Sequence, residues 1–187
     1  DLIKTNSDNF YVLEDNVRVP SGASYMIENR DTMIKLFPDL ISRYKVFENR
    51  NYANDLSEIL KKSSPKKTNK NPNIVLLTPG IYNSAFFEHA FLADKLGIEL
   101  VEGKDLRVIN KYLNMKTIEG WKRVDVIYRR IDDSFLDPLS FKEDSFLGVP
   151  GLMEVYRNKY VTIANAPGTG ISDDKSIYSY IPDIIKF

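Results

Sequence analysis

The chain has 187 residues, and its 26 Lys and Arg residues balance its 26 Asp and Glu residues. A net charge of zero argues against a general nucleic-acid-binding protein, because such proteins use an excess of cations to neutralise phosphates. With no cysteine and a single histidine, His89, the sequence excludes disulfide frameworks, cysteine nucleophiles and Cys- or His-rich metal sites. No apolar run reaches the roughly 18 residues of a membrane-spanning helix, and no signal peptide is visible.

Both ends of the chain suggest that it is a piece of a longer protein. The first residue is Asp1 rather than methionine, and the last four, Ile-Ile-Lys-Phe, stop inside an apolar pattern. At this length we expect one domain or two small ones.

The first third of the chain predicts a small α+β unit. Residues 10–13 form a short apolar run between Asn/Asp clusters, which is typical of a buried strand, and residues 1–4 are expected to pair with residues 10–14 as a hairpin. Helices are predicted at 25–36, closed by Pro38, and at 52–62.

The stretch 63–73 has no large apolar residue and three lysines, so it is the best linker and domain boundary in the chain. Its lysines, Lys66, Lys67 and Lys70, are more typical of a solvated linker than of a binding site.

Beyond the linker, strand and helix signals alternate. An apolar strand at 74–77, a helix at 84–96 ended by Gly97 and a strand at 98–101 form a βαβ unit, which implies a parallel sheet. The remaining predicted elements are a hairpin of 107–109 with 112–115 around Asn110, strands at 124–128 and 160–164, and helices at 150–157 and 174–180, the last interrupted or kinked by Pro182.

The most informative polar cluster follows the first hairpin. Side chains two residues apart on an extended chain point the same way, so Glu14 and Asn16 together offer a carboxylate and an amide oxygen to one hard cation such as Mg²⁺. Arg18 can face the same site and hold a phosphate or carboxylate. The alternative is an acidic turn that ends the strand.

Three further clusters lie at the ends of predicted strands, where α/β proteins place their sites. Arg129 and Arg130 can bind a substrate carboxylate or phosphate, or can form a structural network with Asp132, Asp133 or Asp137. The 78–84 turn can present free N–H groups to an anion or be an ordinary strand–helix turn. The 165–175 loop is most typical of the start of a helix capped by Ser172 or Asp173. His89 is more typical of a packed or surface histidine than of a catalytic base.

These clusters, in this order, resemble the circularly permuted ATP-grasp proteins, a bacterial family related to glutathionylspermidine synthase. The segments that carry the resemblance are YVLEDNVRVPSG (11–22), LTPGIYNSAFFEHA (77–90), DVIYRRIDD (125–133) and ANAPGTG (164–170). The resemblance implies that 1–62 end an ATP-grasp metal-binding lobe, that 63–73 are a linker, and that 74–187 are a Rossmann-like pre-ATP-grasp domain of the α/β class.

By the same resemblance, Glu14 and Asn16 match the family's Glu-x-Asn metal pair, which holds Mg²⁺ against ATP. Arg18 would stabilise the transferring phosphoryl group, and Ser21 and Gly22 match the turn near the substrate. Arg129 and Arg130 are weaker substrate-side candidates.

The implied activity is that of a cytoplasmic ATP-dependent carboxylate–amine ligase. Its substrates would be small-molecule or peptide carboxylates and amines. The sequence departs from the family pattern in two respects. It has no Val-Val-Lys-Pro-like segment with a glycine-rich loop, and it lacks the upstream strands of the metal-binding lobe with another expected acidic ligand. We therefore expect this piece to lack the nucleotide lobe, to bind no cofactor tightly and to be inactive alone. The alternative is a non-catalytic binding or assembly module that retains the fold.

Overall fold

The computed structural model describes residues 1–6, 8–44, 46–49, 51–65 and 71–187. The strands are β1 (Leu2–Lys4), β2 (Phe10–Val12), β3 (Ile74–Leu77), β4 (Glu99–Val101), β5 (Leu106–Ile109), β6 (Tyr112–Thr117), β7 (Gly120–Arg123), β8 (Val126–Arg129) and β9 (Thr162–Ala164). The α-helices are α1 (Ala23–Leu36), α2 (Pro38–Arg43), α3 (Tyr52–Lys62), α4 (Phe86–Leu96), α5 (Leu152–Arg157) and α6 (Ile181–Lys186). Short 3₁₀-helices span Gly103–Asp105, Asp133–Phe135, Thr169–Asp173 and Lys175–Tyr180.

A four-stranded parallel sheet, ordered β4-β3-β8-β9, forms the centre of the fold. Every residue of β3 and β8 is buried, as expected for parallel strands that are covered on both faces and therefore read as continuous apolar runs. One face packs with α3 and α4, through Leu60 and Leu92, and the other packs with the antiparallel sheet and α5. The predicted α/β class with a Rossmann-like parallel sheet is confirmed.

The antiparallel sheet β5-β6-β7 confirms the hairpin that was predicted around Asn110 and adds one strand to it. Asn110 and Lys111 both have positive φ, which is the backbone that a two-residue hairpin turn requires. The added strand β7 was missed because it is largely exposed, and its sequence, Gly-Trp-Lys-Arg, shows no apolar alternation.

The predicted N-terminal hairpin is present as β1 paired with β2, but the prediction that residues 10–13 are buried is wrong. The side chains of Phe10 and Val12 are 66% and 63% exposed. An apolar run indicates a strand that can be buried, and it does not say which element covers it. Among the described residues, nothing covers this hairpin.

The helices of the first third lie close to their predicted positions. The helix α1 begins two residues before the predicted start at residue 25, and α3 spans the predicted range. Pro38 not only closes α1 but also begins α2, in the first turn of a helix, where its missing N–H costs nothing.

The C-terminal region needs two corrections. Asp174, rather than Ser172 or Asp173, caps the 3₁₀-helix Lys175–Tyr180 by accepting the N–H of Ser176. Pro182 does not break that helix internally, because it lies in the first turn of the separate helix α6.

The predicted linker lies partly beyond the described residues, which include 63–65 and 71–73 but not Lys66, Lys67 or Lys70. At its described start, the carbonyl of Ser63 accepts a hydrogen bond of 2.7 Å from the hydroxyl of Thr162 on β9. The boundary between two domains here stays a prediction. Among the described helices, none is long and apolar enough to cross a bilayer.

Candidate active site at the carboxyl edge of the parallel sheet

Residues 17–24, here called the strap, run past the carboxyl ends of the parallel strands. The strap connects the extended segment after β2 to the start of α1. Its polar groups bond to side chains from the end of β8, from α4 and from the loops that follow β8 and β9. Carboxyl ends of parallel strands are where open α/β sheets bind ligands. The fold therefore brings Arg18, one member of the predicted N-terminal cluster, to the expected edge of the sheet.

Arg18 forms the exposed end of this arrangement. Its Nη1 donates to Asp132 Oδ2 at 2.8 Å, and the two side chains are 40% and 37% exposed. The hydrogen bond and charge of Asp132 raise the pKa of Arg18. For Asp132, burial raises the pKa, but hydrogen bonds from Ser134 and the charge of Arg18 outweigh it and lower the pKa overall. The pair is thus ionised but still open to solvent.

The backbone of the strap at Arg18 is held from the C-terminal loop. Asp173 Oδ1 accepts the N–H of Val17 at 2.7 Å and that of Arg18 at 3.2 Å. A Cβ on Gly170 would lie 2.8 Å from Arg18 Nε, so a larger residue there would require the guanidinium to shift from its present position against this loop. Sequence reasoning had assigned Asp173 to a helix cap, and its real partner lies 156 positions away in the sequence.

Arg129 is fully buried, and its guanidinium is surrounded by protein acceptors. Nε donates to the carbonyl of Asn165 at 2.7 Å, and Nη1 donates to that of Ile131 at 2.8 Å and lies 2.7 Å from Asp133 Oδ1. Nη2 donates to the carbonyls of Arg18 and Ala166 at 3.3 and 3.2 Å. These contacts favour the structural alternative over a substrate contact, with Asp133 as the acidic partner.

Arg130 is equally buried and reaches the strap from the other side. Its Nη2 donates to Glu88 Oε1 at 2.8 Å, and its Nη1 donates to the carbonyl of Pro20. Asp137, another partner proposed from the sequence, is not part of this network, because it accepts the N–H groups of Gly151 and Met153 at the start of α5.

Glu88 joins α4 to the beginning of α1. Its Oε2 accepts the N–H of Gly22 at 2.6 Å, the N–H of Ser24 at 3.3 Å and the hydroxyl of Ser24 at 2.8 Å. Sequence reasoning assigned no role to Glu88. A carboxylate inside the apolar stretch Phe86-Phe87-Glu88-His89-Ala90-Phe91 was the available signal, since such a group is rarely buried without a partner.

Of the two alternatives for His89, a packed or a surface side chain, the structure shows the packed one. It is buried, and its Nδ1 lies 2.8 Å from Thr78 Oγ1. Because Thr78 Oγ1 accepts the N–H of Gly80, its own proton is available to His89 Nδ1, which then accepts. Burial, with help from the charge of Arg130, lowers the pKa of His89 from 6.5 to about 4.

This pKa predicts a pH dependence of stability. Between pH 6.5 and 4 the unfolded chain protonates its histidine while the native protein does not, so the free energy of unfolding falls as the pH is lowered. We expect His89 to contribute a loss of up to about 3 kcal/mol over this range. Urea unfolding at pH 7 and pH 4.5 should show a smaller loss in His89→Asn, whose amide oxygen can accept from Thr78. An equal loss in both proteins would contradict the assignment.

The predicted metal residues lie on the extended segment between β2 and the strap. Glu14 Oε2 is 3.4 Å from Nζ of Lys175, a side chain that is 84% exposed, and Asn16 is exposed. Their donors are a carboxylate and an amide oxygen, which suit Mg²⁺, and neither is committed to a buried partner, so the residues fit such an ion. Across the described ranges there is no cluster of three or more His, Asp or Glu residues that could hold a metal, and the metal role of Glu14 and Asn16 stays a prediction.

Of the predicted substrate turn, Ser21 is exposed, whereas the N–H of Gly22 is bound by Glu88. The 78–84 turn is largely satisfied internally, with Gly80 N–H on Thr78 Oγ1 and Asn83 Oδ1 accepting from Ala85. These contacts favour the ordinary strand–helix turn over an anion site.

Comparison with known proteins gives a consistent result over the whole chain. A family model described as a circularly permuted ATP-grasp matches residues 1–187. An uncharacterized protein of Synechocystis is 52% identical over 187 residues, covering all of this chain and 39% of the relative. An uncharacterized protein of Mycobacterium tuberculosis is 50% identical over 188 residues, covering all of this chain and 34% of the relative.

A more distant relative from Frankia alni carries the provisional name glutamate–cysteine ligase 2-3. It is 36% identical over 187 residues, covering all of this chain and 22% of the relative. The chain therefore spans between about a fifth and two fifths of the length of these curated relatives.

Proposed function

The chain belongs to the circularly permuted ATP-grasp family, and we propose that it is part of an ATP-dependent carboxylate–amine ligase. In the proposed reaction, a substrate carboxylate oxygen takes the γ-phosphoryl group of ATP and ADP leaves. An amine nitrogen then attacks the carbonyl carbon of the acyl phosphate, the C–N bond forms, and phosphate and a proton depart. Because ATP is the phosphoryl donor, the proposal places the protein in the bacterial cytoplasm.

The observation that carries this proposal is the position of the strap. Arg18 lies at the carboxyl edge of the parallel sheet with a partly exposed guanidinium, and Glu14 and Asn16 precede it on the same extended segment. Phosphoryl transfer needs fixed positive charge where the transferred group carries negative charge. A charged arginine on the same extended segment as two oxygen donors supplies the groups for that combination.

We propose for these residues the roles that the family resemblance implies. Glu14 and Asn16 would hold Mg²⁺, which neutralises phosphate charge when it is bound. Arg18 stabilises the transferring phosphoryl group, and the exposed Ser21 contacts the carboxylate substrate. The backbone of Gly22 shapes the turn.

The two buried arginines have supporting roles in the proposal, because their donors already bind protein acceptors. Arg129 orders the loops at the edge of the sheet, and Arg130 orders the strap. Neither needs to touch the substrate for the reaction to proceed.

The name of the Frankia alni relative describes an enzyme that joins the two amino acids glutamate and cysteine. That name supports a carboxylate–amine ligation as the class of reaction. We propose that activity also needs the parts that the relatives have outside the matched region.

The first test is Mg-ATP binding by calorimetry. We expect binding by a full-length protein that contains residues 1–187 and none by the 187-residue chain alone. Glu14→Ala should weaken binding by at least about 100-fold and abolish ATP turnover, because even outer partners of a metal site contribute about 10- to 100-fold. Asp15→Ala is the matched control, since this neighbouring carboxylate is exposed and is expected to point the other way.

Two outcomes would contradict the proposal in different ways. Tight binding of Mg-ATP by residues 1–187 alone would mean that the nucleotide pocket lies within them. Absence of binding by the full-length protein would favour the second candidate, a non-catalytic module that keeps the fold.

A further inference from the structure

The helix α1 has no N-cap of its own. The residue before it is Gly22, with φ +118°, and no side chain from its own end caps the helix. The first N–H groups of a helix need acceptors. They find one in Glu88, which approaches from α4 and binds Gly22 and Ser24.

The Glu88–Arg130 pair is unusual because both side chains are only 1% exposed. A buried ion pair is a poor way to gain stability, since packed apolar side chains of the same size often stabilise as well or better. What the pair adds is a fixed position for the strap. Each partner of the pair also binds the strap, Glu88 at Gly22 and Ser24 and Arg130 at the carbonyl of Pro20.

The strap is therefore fixed at both ends. At its start, Asp173 holds the N–H groups of Val17 and Arg18, and Arg129 holds the carbonyl of Arg18. At its end, the Glu88–Arg130 pair holds residues 20–24. Because Val19 alone separates the two attached stretches, 17–18 and 20–24, a shift of the second stretch pulls directly on the backbone of Arg18 and on Asn16, which precedes the strap.

We propose that Glu88, together with Arg130, is a positioning residue for this site: it sets where Asn16 and Arg18 stand relative to the carboxyl edge of the sheet. This inference rests on the proposed function. Neither residue is required to touch a ligand, and the effect passes through the backbone of the strap.

The test uses full-length protein and two readouts, Mn²⁺ binding in the presence of ATP by electron paramagnetic resonance and the Mg²⁺ concentration that half-saturates turnover. Glu88→Gln removes the negative charge and places an amide NH₂ group against donors of the strap or of Arg130. The strap then loses part of its attachment and can shift. We expect both constants to rise by about 10-fold, the size found when an outer partner of a metal site is removed. Ser24→Ala, which removes only the 2.8 Å hydroxyl bond to Glu88, should shift them in the same direction but less.

The matched control is Asp137→Asn. Asp137 is also 1% exposed and also binds the first N–H groups of a helix, but that helix is α5 and no strap residue is involved. We expect Asp137→Asn to lower the melting temperature and to leave both metal constants unchanged. A purely structural role of Glu88 would give the same pattern for Glu88→Gln and would overturn the inference.

Glu14→Ala, measured in the same experiment, distinguishes a failure of the proposed function from a failure of the positioning role. If Glu14→Ala leaves Mn²⁺ binding intact, the proposed function fails and the inference with it. If Glu14→Ala abolishes binding while Glu88→Gln and Ser24→Ala match the wild type, only the positioning role is overturned. Should Glu88→Gln fail to fold, Ser24→Ala decides, and an unchanged metal constant there counts against the inference.

Discussion

Replacing Arg129 with methionine is expected to lower the free energy of unfolding by about 3–5 kcal/mol, the cost of removing one partner from a buried charged network. Methionine fills much of the volume but leaves Asp133 without its cation and takes the guanidinium donor from the carbonyls of Asn165, Ile131 and Arg18. The carbonyl of Ala166 also loses Arg129 but still accepts from Thr169. Arg129→Lys should recover only part of the loss, because an ammonium group cannot reach acceptors spread around a planar guanidinium.

The measurement is urea unfolding of the wild type and the variants at one pH and salt concentration. Arg107→Met serves as the control, because Arg107 is exposed on β5 and has no ion pair among the described residues. Its effect should stay within about 0.5 kcal/mol. A loss below about 1 kcal/mol for Arg129→Met would mean that water replaces the guanidinium, and would reopen a ligand-binding role for Arg129.

The contacts of Arg129 explain why the edge of the sheet has a defined shape. Its Nε binds the carbonyl of Asn165, whose own side-chain amide donates back to the carbonyl of Arg129 at 2.9 Å. Asn165 has a positive φ of 50°, a conformation that asparagine tolerates better than most residues. This reciprocal pair fixes the loop after β9 against the end of β8, and Arg18 packs on that loop at Gly170.

Much of the fold was predictable because its signals are local. The buried strand β3 is a continuous apolar run, and β8 is apolar until it ends in Arg129. The helix α4 ends at Gly97 in the left-handed conformation, and Asn110 marks a hairpin turn. Each feature depends on neighbouring residues only. Exposure of the N-terminal hairpin was not predictable in this way, because burial depends on which element covers a strand.

The candidate site was predictable only in part, for a similar reason. The residue types of Glu14, Asn16 and Arg18 predicted two oxygen donors and a cation at a ligand site. The position of Arg18 in the strap, at the carboxyl edge of the sheet, is consistent with such a site. What holds the strap was not visible: Glu88 and Asp173 lie 66 and 156 positions from the backbone groups that they bind. No spacing rule within a sequence connects residues so far apart.

Replacing Arg18 with methionine should leave stability nearly unchanged and lower turnover, in contrast to Arg129→Met, which should lower stability. Its pair with Asp132 is partly exposed, and such pairs contribute about 1 kcal/mol or less to stability. In the proposed reaction, however, its charge stabilises the transferred phosphoryl group. Loss of one such preorganised donor costs about 10²- to 10³-fold in kcat, so turnover of the full-length protein should fall by that factor.

Asp132→Asn is the control that distinguishes the charge of Arg18 from its placement by the ion pair with Asp132. Asparagine can still accept the N–H of Ser134, as Asp132 does, while Arg18 keeps its charge and its contact with the loop at Gly170. We therefore expect kcat to fall less in Asp132→Asn than in Arg18→Met, with little change in stability for either. If Arg18→Met instead destabilised the protein as much as Arg129→Met and left kcat unchanged, Arg18 would be a further anchor of the strap, and the positive charge for phosphoryl transfer would have to come from another residue.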